Sequence, residues 1–334
     1  MPSISCTIPI NFPSKIPLNL QRLTPSNNIP HFFTSQKSKL NVKLDNFQDP
    51  IKINNFGKAE ENEASKKRYG YDEYVVCQRF LVRLYELDIH QKASLEALLN
   101  YTEETGLNLF QSSGLVVGGY AVSEEMTSRN LIWVIGRMQV AVTSYPSWGD
   151  IVEVETWCSA LGKHGLTCSS RLLDFKTGKK LMRVDSEFVM INKNTRRLSK
   201  ILDEIKAKGE PYVRENYDPL IVSDKLRRLT KLDANEADYT VGGIRPMWFD
   251  LDPNQHVNNV KYISWILEGT PETVRGDCEL AAITVEYRRE CGRENVLQSI
   301  SKASSENPLE FDHLLCLEDG KEVARARTVW RSSR

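Results

Sequence analysis

DLDPNQHVNN, at Asp250–Asn259, is the stretch that decides the fold, because a shorter counterpart, LDIHQ, occurs earlier at Leu87–Gln91. Leu87–Gln91 aligns with Leu251–Gln255 at an offset of 164 residues. Each stretch follows an apolar, strand-like run and precedes an amphipathic, helix-like run and then further strand-like runs. The two copies share few identical residues, but their elements come in the same order. We therefore predict one unit written twice, a degenerate tandem repeat.

The periodicity of each copy predicts one helix and a set of strands. In the first copy we predict a helix at Ser94–Gly114, with Gly114 as its C-cap, and strands at Tyr74–Tyr85, Leu131–Val142, Ile151–Ser159, Leu166–Asp174 and Lys180–Asn192. In the second we predict a helix at Val257–Glu268 and strands at Asp238–Asp250, Glu279–Cys291, Asn295–Ser304, Phe311–Leu317 and Lys321–Arg331. A long helix with antiparallel strands is an α+β pattern. A helix wrapped by a curved antiparallel sheet is the hot-dog arrangement, so we predict tandem hot-dog domains.

The N-terminal segment differs in composition from the rest of the chain. Residues 1–44 contain no Asp or Glu, are rich in Ser, Pro, Asn and Thr, and carry the basic residues Lys15, Arg22, Lys37, Lys39 and Lys43. Such a segment cannot bury enough apolar surface to fold. Its composition is typical of an organelle transit peptide, with a disordered tail as the alternative. We predict a transit peptide and linker at 1–67, hot-dog domains at 68–200 and 236–334, and a connecting segment at 201–235.

The bulk composition excludes several classes of function. Net charge is zero, which gives no global argument for a nucleic-acid partner. The seven cysteines are irregularly spaced and form no CxxC pair, so we expect neither a disulfide framework nor a zinc site. No apolar run approaches the roughly 18 residues of a membrane-spanning helix, so we expect no stable membrane insertion. No motif indicates a nucleotide, metal or redox group, and we expect no cofactor.

The candidate site residues are Asp252, Asn254 and His256, together with Glu290 and Cys291. The first three are spaced at i, i+2 and i+4, which on an extended segment points their side chains to one side. A structural alternative is an Asx-turn with Asn254 or Asn258 as a helix cap. An acid, a base, an amide and a thiol are the groups needed to attack an acyl carbonyl. The helix start nearby could bind a developing oxyanion.

Several motifs give the chain a specific resemblance to a known family. They are Arg129–Val134, Arg137–Val140, Tyr145–Asp150 and Asn194–Lys200 in the first copy, and Arg245–Pro246, Asp250–Asp252, Asn254–Ile263, Trp265–Glu268 and Glu286–Arg293 in the second. Over about residues 74–331 the chain closely resembles the plant acyl-acyl-carrier-protein thioesterases. The resemblance implies a tandem hot-dog enzyme of the plastid stroma that hydrolyses fatty acyl-acyl-carrier protein and releases free fatty acid. The first hot dog would shape the acyl pocket, and the second would carry the chemistry.

Two mechanisms are compatible with the family's residues. In one, Cys291 is a thiolate nucleophile, His256 is its base and Asn254 orients the imidazole. In the other, which we favour, Asp252 and Glu290 act with His256 to position and deprotonate a water molecule. Asn254 and backbone amides at the helix start would then hold the oxyanion. Hydrolysis of acyl-CoA or another thioester, and acyl binding without catalysis, are the alternative functions. The oligomeric state is left open, a homodimer included.

One segment of the first copy departs from the family pattern. After Gly162–Gly165, the family usually has two arginines followed by Asp-Trp, whereas this chain has Thr167, Cys168, Ser169 and Ser170. The change bears either on docking of the carrier protein or on the preferred acyl chain. It leaves the candidate residues of the second copy in place. The acyl preference of the family is therefore not carried over to this chain.

Overall fold

A computed structural model describes residues 75–115, 122–215, 217–218, 220, 229–252 and 255–333. Within these residues there are ten strands and five α-helices. The strands are β1 (Val76–Leu81), β2 (Leu131–Val142), β3 (Ile151–Leu161), β4 (Gly165–Asp174), β5 (Lys180–Asn192), β6 (Tyr239–Ile244), β7 (Cys278–Tyr287), β8 (Leu297–Ala303), β9 (Glu310–Leu317) and β10 (Glu322–Ser332). The helices are α1 (Leu95–Ser112), α2 (Glu124–Ser128), α3 (Asp203–Gly209), α4 (Asn259–Glu268) and α5 (Glu272–Asp277). The predicted transit peptide lies outside the described residues, and no described helix is long and apolar enough to cross a membrane.

Helix α1 has the start and stop signals that its sequence predicts. The side chain of Ser94 accepts a hydrogen bond from the backbone N–H of Ala97 at 3.2 Å, which caps the first turn. Apolar side chains repeat every three or four residues and bury one face, with Leu98 fully enclosed. The helix ends at Ser112, and Gly114 follows with a φ of +69°. Glycine adopts this left-handed conformation without a steric penalty, so it terminates the helix.

The strands form one sheet in the order β1-β3-β4-β5-β2-β7-β10-β9-β8-β6. Strands β6–β10 correspond to β1–β5 in chain order. From one edge to the middle the order is β1-β3-β4-β5-β2, and from the other edge it is the equivalent β6-β8-β9-β10-β7. The copies meet at β2 and β7, which pair antiparallel with Val140 opposite Ile283. The two sheets therefore join within one chain. The predicted tandem α+β architecture is confirmed.

Helices α1 and α4 pack together over one face of this sheet. The Lys261 ammonium on α4 lies 2.5 Å from the carboxylate of Glu96, near the start of α1. One apolar core includes side chains from both helices and from both halves of the sheet, among them Leu98, Val140, Ile263 and Ile283. Burying each such side chain contributes roughly 1.5–3 kcal/mol. The copies thus share their stabilising contacts, and the domain boundaries at 68–200 and 236–334 stay a prediction.

The described parts of the connecting segment contact the sheet in both halves of the chain. Val213 pairs with Cys158 in an isolated bridge, and the Tyr217 ring contacts the Trp157 ring edge-on at 5.0 Å. Farther along, Leu232 packs on a patch of the second half formed by Ile300, Leu314 and Cys316. Since side chains alternate along a strand, Trp157 points away from Cys158, which packs with α1. Tyr217 and Leu232, in described parts of the predicted connecting segment, therefore pack on the face that the helices leave open.

Three predicted strands, Tyr74–Tyr85, Asp238–Asp250 and Glu279–Cys291, are too long. After β1 and β6 the chain forms 3-10 turns, Leu84–Glu86 and Trp248–Asp250, each closed by its acidic residue accepting a backbone N–H at 2.7 Å. After β7 the N–H groups of Arg288 and Arg289 both donate to the Val323 carbonyl, which ends the ladder. Glu290 and Cys291 therefore lie in a loop and not at the end of a strand.

Candidate active site

The loop that precedes α4 is closed by hydrogen bonds between Asp252 and His256. The Asp252 N–H donates to the His256 carbonyl at 2.7 Å, and the His256 N–H donates to Asp252 Oδ1 at 3.0 Å. Gln255 completes the turn with a φ of +66°. The predicted alternation of side chains along an extended segment is therefore replaced by a tight turn that brings the Asp252 carboxylate to His256. Asn254 lies outside the described residues.

The first copy contains the same loop with different side chains. The Asp88 N–H donates to the Lys92 carbonyl at 2.8 Å, and the Lys92 N–H donates to Asp88 Oδ1 at 3.1 Å. Gln91 has a φ of +60°, as Gln255 has at the equivalent position. The hydrogen bonds thus repeat at the offset of 164 found in the sequence. Lys92 occupies the place of His256, so the first loop keeps its shape and has no imidazole at this position.

Glu290 supplies the second carboxylate of the site. Its Oε2 lies 3.4 Å from His256 Nε2, and its Oε1 pairs with the Arg196 guanidinium. The His256 and Glu290 side chains are 40% and 33% exposed, so water has access to the pair. The Ala93 N–H donates to the Pro146 carbonyl as the Val257 N–H donates to the Cys291 carbonyl, so Tyr145 has the position of Glu290 in the first copy. The Tyr145 hydroxyl donates to the carbonyl of Leu280 at 3.0 Å. Among the described residues, this imidazole and carboxylate pair occurs in the second copy and not at the equivalent place in the first.

Cys291 is held in the core beside this pair. It is 1% exposed, its N–H donates to the Tyr262 hydroxyl at 2.9 Å, and its carbonyl accepts the Val257 N–H at 3.2 Å. Burial raises the pKa of the Cys291 thiol to about 11, against a smaller lowering by the Tyr262 hydroxyl. The thiol is therefore protonated at neutral pH, and a thiol is a poor nucleophile compared with a thiolate. The structure thus favours a packing role for this side chain.

An acid that the sequence reasoning missed lies under the start of α4. The carboxylate of Glu103, on α1, accepts hydrogen bonds from Asn258 Nδ2 at 3.2 Å and Asn259 Nδ2 at 2.9 Å. Asn258 is also the N-cap of α4, as predicted, and its Oδ1 accepts the Val260 N–H. Burial raises the pKa of Glu103, against the lowering effect of the two amides, and the nearby Asp252 raises it further. The sequence did contain a signal for this acid, because Glu103 follows Leu99 by four residues and so lies on the apolar side of α1.

Comparison with known proteins identifies the family. A model of the acyl-ACP thioesterase N-terminal domain matches residues 73–208, and a model of the C-terminal domain matches residues 233–332. The dodecanoyl-[acyl-carrier-protein] hydrolase, chloroplastic, of Umbellularia californica is 42% identical over 79% of this chain and 69% of its own length. This chain belongs to the acyl-ACP thioesterase family. The resemblance inferred from the sequence motifs is confirmed.

Two further similarities extend this assignment. The palmitoyl-acyl carrier protein thioesterase, chloroplastic, of Arabidopsis thaliana is 47% identical over 78% of this chain and 65% of that relative. The chain therefore spans less than two thirds of the length of this curated relative. The solved 12:0-ACP thioesterase from Umbellularia californica superposes with a TM-score of 0.73 at 41% identity, covering 80% of this chain and 98% of that structure. The acyl-ACP thioesterase family thus accounts for both copies and for their order.

The segment in which this family member departs from the usual pattern lies inside the sheet. Ser169 and Ser170, on β4, are 0% and 4% exposed. Ser169 donates to Asp185 Oδ1 at 2.6 Å, and Ser170 Oγ lies 2.8 Å from the Thr156 hydroxyl. Buried serines do not present a surface to a carrier protein. The burial of both serines argues against an effect on docking, and an effect on the preferred acyl chain stays a prediction.

We expect Cys291→Ala to keep kcat within about threefold of the unmodified chain, because the buried thiol is protonated and the water mechanism does not use it. The measurement is steady-state hydrolysis of acyl-acyl-carrier protein, with thermal unfolding in parallel to establish that the variant folds. A folded Cys291→Ala protein with no activity would reverse the preference and support a thiolate nucleophile. Cys316→Ala is the control for loss of another buried thiol.

Relative to the parent, Glu103→Gln is expected to gain stability as pH rises from acidic to neutral, because it removes a carboxylate that burial makes costly to ionise. Its amide oxygen keeps one of the two hydrogen bonds from Asn258 and Asn259. Because the pKa of Glu103 is raised on folding, its contribution is favourable at acidic pH and is lost as pH rises through that pKa. Urea unfolding at neutral and acidic pH measures the stability difference, with Glu104→Gln as the exposed control; a difference that does not change with pH contradicts the prediction.

Proposed function

We propose that this chain hydrolyses the thioester of fatty acyl-acyl-carrier protein, releasing free fatty acid and ending chain elongation. The observation that carries the proposal is the His256 and Glu290 pair beside the start of α4, with Asp252 closing the same loop. The printed names of the family's Arabidopsis and Umbellularia members, a thioesterase and a hydrolase of acyl-carrier-protein substrates, support the reaction class.

In the proposed mechanism, the carboxylates of Asp252 and Glu290 and the imidazole of His256 position a water molecule and accept its proton. The water oxygen bonds to the acyl carbonyl carbon, and the carbonyl oxygen gains negative charge. Asn254, and the N–H groups at the start of α4 that Asn258 does not accept, would stabilise this oxyanion, since a helix start carries partial positive charge. The carbon–sulfur bond then breaks, and the thiolate of the carrier's arm takes the proton from His256. Cys291 packs the site in this scheme and forms no acyl-enzyme.

The roles of the two copies follow from their loops. Because Lys92 and Tyr145 replace the imidazole and the carboxylate in the first copy, the second copy, at 236–334, would carry the chemistry. The first copy, at 68–200, would shape the acyl pocket. The acyl carrier protein is the proposed partner, and a homodimer is compatible with the proposal. We place the protein in the plastid stroma, with a transit peptide and linker at residues 1–67, which is supported by the chloroplastic names of both relatives.

The test is release of free fatty acid by the purified chain. The substrates are acyl-acyl-carrier proteins from medium to long chain, saturated and mono-unsaturated, and the matching acyl-CoAs. Release from carrier-protein substrates is the expected result, and the preferred chain is read from the same panel. Release from acyl-CoA alone would move the activity to a different thioester. A folded protein that binds these substrates and cleaves none would be an acyl-binding protein, and the proposed hydrolysis would be wrong.

A further inference from the structure

We propose that Arg196, a residue of the first copy, is a positioning residue for Glu290 in the site of the second copy. The inference rests on the proposed thioester hydrolysis and adds a group from the other half of the chain to that site. Arg196 pairs with Glu290 Oε1, while Glu290 Oε2 faces His256 Nε2 at 3.4 Å. Glu290 therefore stands between a fixed cation and the imidazole. Each of its oxygens has a separate task.

The turn that carries Arg196 is tightly built. It follows β5, and the Asn192 side chain accepts the N–H groups of Asn194 at 3.1 Å and Thr195 at 2.9 Å. The Arg196 N–H donates to the Asn192 carbonyl at 2.8 Å. The Asn192 N–H in turn donates to the Arg197 carbonyl at 2.9 Å. Four hydrogen bonds across six residues fix the backbone from which the guanidinium projects.

Arg196 also occupies a backbone conformation that favours glycine. Its φ is +57°, in the left-handed region, where a side chain with a Cβ is disfavoured. Strained conformations of this kind are concentrated at functional sites, where the surrounding structure maintains them. Gly or Asn would adopt this φ with less strain. The conformation is compatible with a side chain kept for its contact with Glu290.

The ion pair contributes little to stability, because exposed pairs rarely do, and the Arg196 side chain is 43% exposed. Its effect is on orientation. Glu290 lies in the loop after β7 with its side chain one third exposed, so in water it would sample several rotamers. The Arg196 guanidinium, by pairing with Oε1, favours the rotamer in which Oε2 faces His256. Arg196 is a positioning residue because it acts on the reaction through Glu290.

The test compares Arg196→Ala, Arg196→Gly and Arg196→Lys in the full chain with the control Lys193→Ala, which removes an exposed positive charge from the same turn. We expect Arg196→Ala and Arg196→Gly to lower kcat about 10-fold with KM nearly unchanged. Arg196→Lys keeps the positive charge and loses the planar guanidinium, so its kcat should lie between those of these two variants and that of the parent. Arg196→Gly should keep or raise the Tm, because glycine adopts a positive φ without strain. Lys193→Ala should match the parent.

A double-mutant cycle with Glu290→Ala separates positioning from other roles. If Arg196 acts through Glu290, Arg196→Ala has no further effect on kcat in the Glu290→Ala background. An equal loss in both backgrounds, an effect confined to KM, or parental activity in Arg196→Ala each overturns the proposal.

The imidazole NMR resonances of His256 provide a readout that needs no turnover, and they should shift in Arg196→Ala and not in Lys193→Ala. If no thioester is cleaved by the parent, the proposed function fails, and an unshifted His256 signal separately overturns the positioning role.

Discussion

His256→Ala is expected to lower kcat on acyl-acyl-carrier protein by about 1,000-fold, because it removes the general base and leaves Glu290 paired with Arg196 but not with an imidazole. Binding should be less affected. The imidazole is 40% exposed, so its loss opens no large cavity, and the Asp252 carboxylate can still accept the N–H of residue 256. The measurement is kcat and KM on the best substrate of the panel, with unfolding curves recorded alongside.

The first copy offers a matched control for this variant. Lys92 has the same hydrogen-bonded position in its loop as His256, and Lys92→Ala removes a side chain from an equivalent turn. We expect Lys92→Ala to leave kcat unchanged, because its neighbour at the Glu290 position is Tyr145. Equal losses in the two variants, or full activity in folded His256→Ala, would exclude the second copy as the seat of the chemistry.

Asp252→Asn is expected to lower kcat by about 100-fold or more while the loop keeps its shape. The amide oxygen of Asn can accept the His256 N–H that Asp252 Oδ1 accepts at 3.0 Å, so the substitution removes charge and basicity with little change in geometry. The measurement is kcat with Tm as the test of folding. Asp88→Asn makes the same change in the loop of the first copy and should be silent. A fully active Asp252→Asn protein would show that the carboxylate only holds the turn.

The regular elements could be predicted from the sequence because their signals are local. The limits of α1 were within two residues of the prediction, since Ser94 caps one end and Gly114 lies past the other. The repeat was visible because the loops at Asp88 and Asp252 need the same turn. Strand ends were less predictable. The end of β7 depends on the Val323 carbonyl, which belongs to β10 and is remote in sequence.

The sequence could indicate the candidate site residues of the second copy, and not the residues that the first copy adds to the site. Glu290 lies 3.4 Å from the His256 imidazole, and the Asp252 carboxylate accepts the backbone N–H of His256; their catalytic roles stay a prediction. Glu103 and Arg196 come from the first copy, and no local pattern places them near α4. Their positions follow from the packing of α1 against α4 and from the pairing of β2 with β7. Such contacts depend on the register between copies, which periodicity does not specify.

The antiparallel junction of β2 with β7 has a consequence for how the protein responds to dilution. In an assembly of two separate chains, a shared sheet and core dissociate at low concentration, and apparent stability varies with the amount of protein. Here both partners of the junction are covalently linked, so the local concentration of each half around the other is constant. Dilution should therefore not separate the two halves at this junction, and kcat per chain should not fall for that reason. The linkage also allows the halves to change sequence independently, which is how one loop can retain histidine while its counterpart has lysine.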